Sequence, residues 1–146
     1  MTFVGRRVLV VEDEFLVSLT TIDLLERIGC EIVGPAVRLA TAFQLTQSEL
    51  LDAALLDIDI AGEMIWPVAG ELRRRGVPFL FVSAYAHLNV IPVFLAAVPC
   101  LEKPLEQNRL LRHLSALWGA SYREPFLRER NVISRVVDDG TLTRVQ

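Results

Sequence analysis

Five polar residues in this chain share one placement, at or just beyond the end of a short apolar run. Glu12 and Asp13 follow Val8-Leu9-Val10-Val11, Asp57 follows Ala53-Ala54-Leu55-Leu56, and Ser83 follows Phe79-Leu80-Phe81-Val82. Lys103 follows Val98-Pro99-Cys100-Leu101-Glu102 and precedes Pro104. Apolar runs of this length with polar ends read as buried strands, so three or four carboxylates emerge together at one rim of a sheet. Like charges gathered there need compensation. A hard divalent cation with oxygen ligands supplies it, and so does a nearby lysine ammonium. Taken singly, each residue has a plainer reading: a solvated acid after a strand, a helix cap at Asp57, a turn hydroxyl at Ser83, a surface charge at Lys103. Acid, acid, hydroxyl and base closing successive runs in that order favour the combined reading.

The segments between these runs have helical period. Phe15, Leu19, Ile22 and Leu25 mark a first helix that stops at Gly29. Cys30-Glu31-Ile32-Val33-Gly34 is a short strand ended by Gly34-Pro35, and Leu39, Ala42, Phe43 and Leu45 suggest a second helix. Met64, Val68 and Leu72 mark a third, closing on Arg73-Arg74-Arg75-Gly76, a solvated end favoured by the helix dipole. Between Ala86 and Ala97 a short or broken helix is expected, because Pro92 removes a backbone donor there. Leu110, Leu111, Leu114 and Leu117 give the face of a last helix. Strands alternating with helices five times predict an α/β fold, a doubly wound parallel sheet of five strands with helices on both faces. Ligands of such a sheet bind beyond the carboxyl ends of its strands. This is where the five polar residues would converge.

The chain has 146 residues, 52% of them apolar and 23% charged, which suits one globular domain with a real core. Its 15 Lys and Arg against 18 Asp and Glu, a net charge of −3, give no reason to expect nucleic acid or an anionic membrane as partner. Cys30 and Cys100, the only cysteines, sit in apolar runs and fit a reducing compartment. No signal-peptide pattern and no uninterrupted apolar stretch of membrane-spanning length are seen, so a cytoplasmic location is expected. His87 and His113 read as surface residues, since neither has a second ligand at metal-binding spacing. The domain is read as residues 1–118. The tail, 119–146, carries five arginines, two Glu and two Asp, with a hairpin signal at Asp139-Gly140 beside stretches compatible with helix. Its apolar members suggest packing on its own domain or on a partner copy, and thus a homodimer.

Val10-Val11-Glu12-Asp13-Glu14, Leu55-Leu56-Asp57-Ile58, Phe81-Val82-Ser83-Ala84 and Glu102-Lys103-Pro104 resemble the signature blocks of the response-regulator receiver (CheY-like) domain, over about residues 6 to 118. The resemblance implies a flavodoxin-like sheet of order 2-1-3-4-5 and a phosphoacceptor at Asp57. It implies Mg2+ held by Asp13, Asp57 and the backbone carbonyl of Asp59, with Glu12 acting directly or through water. It further implies a cis Lys103–Pro104 bond, and a histidine kinase or phosphotransfer protein as donor in a two-component phosphorelay. The physical chemistry agrees: a carboxylate accepts a phosphoryl group only when charge on both partners is masked, and Mg2+ with Lys103 would mask it. Asp57 is then the nucleophile, and the hydroxyl of Ser83 would bond the new phosphoryl oxygen and draw its loop inward. Such a domain signals by contact with a downstream protein and is not a turnover enzyme.

The sequence also departs from that pattern. Cys100 occupies the place, three residues before the lysine, where receivers usually carry an aromatic switch residue. Tyr85 is the candidate replacement, since Phe81-Val82-Ser83-Ala84-Tyr85 resembles the Phe-x-Thr-Gly-Tyr version of stand-alone alphaproteobacterial receivers. Ile60-Ala61-Gly62-Glu63 lacks the common Met-Pro pair. Two other readings are a pseudo-receiver that binds partners without being phosphorylated, and a haloacid-dehalogenase-like phosphatase using Asp57 and Asp59. The second needs its nucleophile on the first strand of the pattern, whereas here an acid-tipped strand and two helices precede it.

Overall fold

A computed structural model describes residues 3–84 and 90–118. Tyr85, His87 and the tail 119–146 lie outside the described residues, and with them the expectations for the aromatic switch and the hairpin. The described residues belong to two compact units, one ending at Leu105 and one beginning at Glu106.

The first unit runs β1 (Arg7–Val11), α1 (Phe15–Arg27), β2 (Glu31–Ala36), α2 (Leu39–Ser48), β3 (Ala53–Asp57), β4 (Asp59–Ile60), β5 (Glu63–Met64), α3 (Trp66–Arg74), β6 (Phe79–Ser83), a single 3-10 turn (Val93–Leu95) and β7 (Cys100–Glu102). Five strands form one parallel sheet of order β2-β1-β3-β6-β7, the flavodoxin-like 2-1-3-4-5 arrangement when only its own strands are numbered. Val10 lies opposite Leu55, Leu56 opposite Phe81, and Ser83 opposite Glu102, so the ends of the strands come level. The second unit contains α4 (Gln107–Leu117), in which Leu110, Leu111 and Leu114 are buried.

Both faces of the sheet are buried, which explains why its strands read as continuous apolar runs rather than alternating ones. Leu9, Val11, Ala54, Leu56 and Phe81 join Ala42 of α2 and Val68, Ala69 and Leu72 of α3 in one core. Phe81 meets the rings of Trp66 and Phe79 edge to face, each at 5.7 Å. Val8, Val10, Leu55 and Leu80, alternating with that set, are equally buried. Burying each such side chain contributes about 1.5–3 kcal/mol, which is what holds the strand ends, and the residues on them, in register.

Four expectations change. First, β2 does not end at Gly34-Pro35: it continues to Ala36 across an irregularity in its pairing with β1. Gly34 has φ +104, and a Cβ there would stand 2.9 Å from the carbonyl oxygen of Val10, so only glycine lets the strands approach so closely. Second, α1 turns Ser18, Thr21, Leu24 and Leu25 inward and leaves Phe15, Leu16 and Leu19 exposed, against the face expected from Phe15 and Leu19. The Ser18 hydroxyl makes this burial affordable by donating to the carbonyl of Phe15 at 2.6 Å. Third, the arginines closing α3 are bonded, not merely solvated. Arg73 donates to the carbonyl of Phe94 at 2.5 Å, Arg74 pairs with Glu71 at 2.6 Å, and Arg75 donates to the carbonyl of Thr46. Fourth, α3 begins at Trp66, because Met64 belongs to the small β4–β5 hairpin.

Between Pro92 and β7 the chain makes only the 3-10 turn, in which the N–H of Leu95 bonds the carbonyl of Pro92. Leu95 is buried there while Val93 and Phe94 are exposed. Among the described residues, no helix is long and apolar enough to cross a membrane.

Candidate functional site

Four strand ends deliver the site. The N–H of Glu12 bonds the carbonyl of Ala36 at 3.0 Å, and the N–H of Lys103 bonds the carbonyl of Ser83 at 2.8 Å, so backbone on both sides fixes where these residues leave the sheet. The Lys103 ammonium lies 2.5 Å from Oε1 of Glu12 and 3.1 Å from Oδ2 of Asp57. The second carboxylate oxygen of Glu12 accepts the N–H of Glu14 at 3.1 Å. Glu12 and Ser83 are buried, at 5% and 1% exposure, and Lys103 and Asp57 are nearly so. Asp13, Asp57, Ser83 and Lys103 line one cleft of about 340 Å³ together with Glu14, Asp59 and Ala84. Asp13, Asp57, Ser83 and Lys103 thus share one cleft, with Glu12 bonded to Lys103 beside it.

Burial raises the pKa of Glu12, and the negative charge of Asp57 adds to that, while the hydrogen bonds from Lys103 and from the Glu14 N–H oppose it; the net direction is upward. Burial works against the charge of Lys103, but Glu12 and Asp57 outweigh it and raise its pKa, so the ammonium persists throughout the neutral range. Cys100, opposite Phe81 in the sheet, has its thiol pushed up by burial, then by the charges of Glu102 and Asp57. It is a packing residue at neutral pH, not a reactive thiol.

One carboxylate oxygen each from Glu12, Asp13 and Asp57 lies within 4.8 Å of the others. Three hard oxygen donors so gathered, with one ammonium among them, fit a small divalent cation. The carboxylate of Asp59 stands apart from that trio: its Oδ1 accepts the N–H of Gly62 at 2.8 Å. The Lys103–Pro104 bond is cis, as is Gly34–Pro35.

Sequence reasoning missed the turn Ala61–Gly62 that joins β4 to β5. The N–H of Ala61 donates to Oδ2 of Asp13 at 2.8 Å, across 48 positions of sequence. Ala61 has φ +51 and Gly62 φ +89. A non-glycine residue in the left-handed region costs about 1 kcal/mol, so this turn is held by its surroundings. A residue followed by Gly, between Ile60 and Glu63, was the available signal for a two-residue hairpin loop.

No family model matches the chain. The sensory transduction protein LytT of Bacillus subtilis is 29% identical over 111 residues, 74% of this chain; the chain spans 46% of LytT's length. The solution structure of SdrG from Sphingomonas melonis is 30% identical and superimposes with a TM-score of 0.69, over 80% of this chain and 98% of SdrG. The response regulator TrrA from Thermotoga maritima, solved in complex with Mg2+-BeF, is 29% identical with a TM-score of 0.65, over 77% of this chain and 98% of TrrA. The five-stranded parallel sheet of this order, with acids, hydroxyl and lysine at its carboxyl rim, is the arrangement these relatives share in fold. The chain belongs to the CheY-like response-regulator receiver domains.

Proposed function

We propose that residues 1–118 form a phosphoacceptor receiver of a two-component phosphorelay, in which Asp57 takes a phosphoryl group from a histidine kinase or phosphotransfer protein. The observation that carries this reading is the Lys103 ammonium spanning Glu12 and Asp57 beside a three-carboxylate cluster. An oxygen of Asp57 attacks phosphorus in line, the bond from phosphorus to the donor nitrogen breaks, and the donor imidazole leaves. Lys103 holds Asp57 in place and sets positive charge beside the reacting oxygens. Asp13, Asp57 and Glu12, with the backbone carbonyl of Asp59, would hold Mg2+, which when bound screens the charge between carboxylate and phosphoryl group. Ser83, buried in the same cleft, would donate its hydroxyl to the new phosphoryl oxygen.

The donor would approach over the surface beside the cleft. Leu16, Val17, Thr20, Pro104 and Leu105 line a mostly apolar groove of about 390 Å³ that shares Glu14, Ala84 and Lys103 with the acid cleft. Phe15 and Leu16, 60% and 76% exposed, extend that surface along α1. Exposed apolar side chains grouped at the mouth of a reactive site suit a protein partner. The motif Phe81-Val82-Ser83-Ala84-Tyr85 supports membership of the alphaproteobacterial Phe-x-Thr-Gly-Tyr group, with Tyr85 as switch and output by protein contact.

Cys100 in the aromatic position favours a second reading, a pseudo-receiver that is never phosphorylated. Incubation with Mg2+ and a small phosphodonor such as acetyl phosphate separates the two. Gain of one phosphoryl mass, stable in acid and labile in base, supports the phosphoacceptor. No adduct under saturating Mg2+ and donor supports the binding module.

A further inference from the structure

We infer that the Ala61–Gly62 turn is a positioning element for Asp13 and sets the cation affinity of the site; this rests on the cation reading given above. Asp13 follows the end of β1 and is only half-buried, and its carboxylate stands within 4.8 Å of two others. Repulsion from Glu12 and Asp57 favours a rotamer that swings it outward. The Ala61 N–H opposes that motion with a charge-assisted hydrogen bond of 2.8 Å. A carboxylate has four lone-pair sites, so one amide leaves Asp13 able to ligate.

The turn is fastened to hold this bond. Asp59 pairs with Met64 and Ile60 with Glu63 across the hairpin, Ile60 is buried, and the N–H of Ile65 bonds the carbonyl of Ile58 at 2.9 Å. The Gly62 N–H in turn takes Oδ1 of Asp59, keeping that carboxylate out of the cluster and the turn closed. With Ala61 and Gly62 both left-handed, the turn places both amides on carboxylates, that of Ala61 on Asp13 after β1 and that of Gly62 on Asp59 of its own hairpin. Because the hairpin starts two residues after Asp57, the loop that follows the acceptor and the orientation of Asp13 are coupled through it.

The test is a Mg2+ titration of the full chain without phosphodonor, followed by calorimetry and by tryptophan fluorescence. Gly62→Val, which opposes φ +89, should weaken Mg2+ binding about tenfold, the loss typical when a partner that orients a metal ligand is removed. Amide exchange at Ala61 should be slow in the unmutated chain and fast in Asp13→Ala, a comparison that stands even where Gly62→Val does not fold. Equal Mg2+ affinity in folded Gly62→Val, or Ala61 exchange unchanged in Asp13→Ala, would overturn the inference while leaving the cation site intact. Failure of the unmutated chain to bind Mg2+ at all would overturn the cation reading and this inference together.

Discussion

The two rims of the sheet carry the same kinds of charge in opposite states. At the amino ends of the strands, Arg7 is spread over partners of the fold: its guanidinium meets Glu31 at 2.7 Å, Glu49 at 2.6 Å and the carbonyl of Leu50 at 2.8 Å, while its N–H bonds Asp52, which also pairs with Arg6 at 3.8 Å. At the carboxyl ends, one ammonium, that of Lys103, faces three clustered carboxylates. The first arrangement ties each acid to an arginine or a backbone group of the fold. The second gathers one oxygen from each of three carboxylates within 4.8 Å of the others, with one ammonium between two of them. Exposed, spread pairs mark a structural ion network, and buried carboxylates clustered on one ammonium mark a place built for something else to arrive.

Breaking each rim at its cation tests that contrast most severely. Lys103→Ala leaves Glu12 and Asp57 buried without a counter-charge and should cost about 3–5 kcal/mol, with excess Mg2+ returning part of it. Arg7→Ala, at a rim where the side chain is 29% exposed, should cost about 1–2 kcal/mol after screening by solvent, with no recovery on adding Mg2+. Urea unfolding with and without Mg2+ reads both. Equal recovery in the two variants would erase the distinction.

Removing an acid should act with opposite sign at the two rims. Asp13→Asn relieves repulsion, and should raise the metal-free melting temperature by a few degrees, about 0.5–1 kcal/mol, while abolishing the rise that Mg2+ gives the unmutated chain. Glu49→Gln should lower melting slightly whether or not Mg2+ is present. A fall in metal-free stability for Asp13→Asn would contradict the reading of the carboxyl rim.

Titration sharpens the comparison further. The Glu12 pKa is raised in the fold, so the native state binds a proton more tightly than the unfolded chain does. Metal-free stability should therefore fall as pH rises from 4.5 through the raised value, and then level off. Lys103 is also raised, so its contribution is complete below pH 10.5 and is lost as pH climbs through its folded value. Melting curves across pH in Glu12→Gln and the unmutated chain check the first of these, since the acid-side slope should flatten in the variant. The smallest effect concerns Cys30, whose thiol burial pushes up to about 11. It should resist alkylation at pH 8 under native conditions and react readily once unfolded; fast native labelling would be the contrary result.

The carboxyl rim was legible in the sequence because a buried parallel strand is written as an unbroken apolar run, and its last residue is where polarity returns. Asp57 and Ser83 close β3 and β6, and Glu12 and Lys103 follow β1 and β7 directly. The amino rim was not legible. Arg7, Glu49 and Asp52 are ordinary charges until the fold brings them together, and ion pairs between distant elements leave no period. The same holds for Arg73 and Arg75, whose carbonyl partners Phe94 and Thr46 lie on other segments. α1 was misread because helical spacing says that a face exists, whereas the neighbouring sheet decides which face is buried; Ser18 and Thr21 go inward and Phe15 outward. The β4–β5 hairpin escaped because two strands of two residues each are too short to show alternation.

The central claim is that the acid excess at the carboxyl rim serves a covalent step at Asp57. After incubation with Mg2+ and acetyl phosphate, borohydride reduction converts an acyl phosphate to the corresponding alcohol and so marks the acceptor permanently. Peptide mass mapping should find that change at Asp57 alone, dependent on Mg2+ and absent from Asp57→Asn. A mark on Asp13 or Asp59 in its place, or none at any carboxylate, would contradict the account.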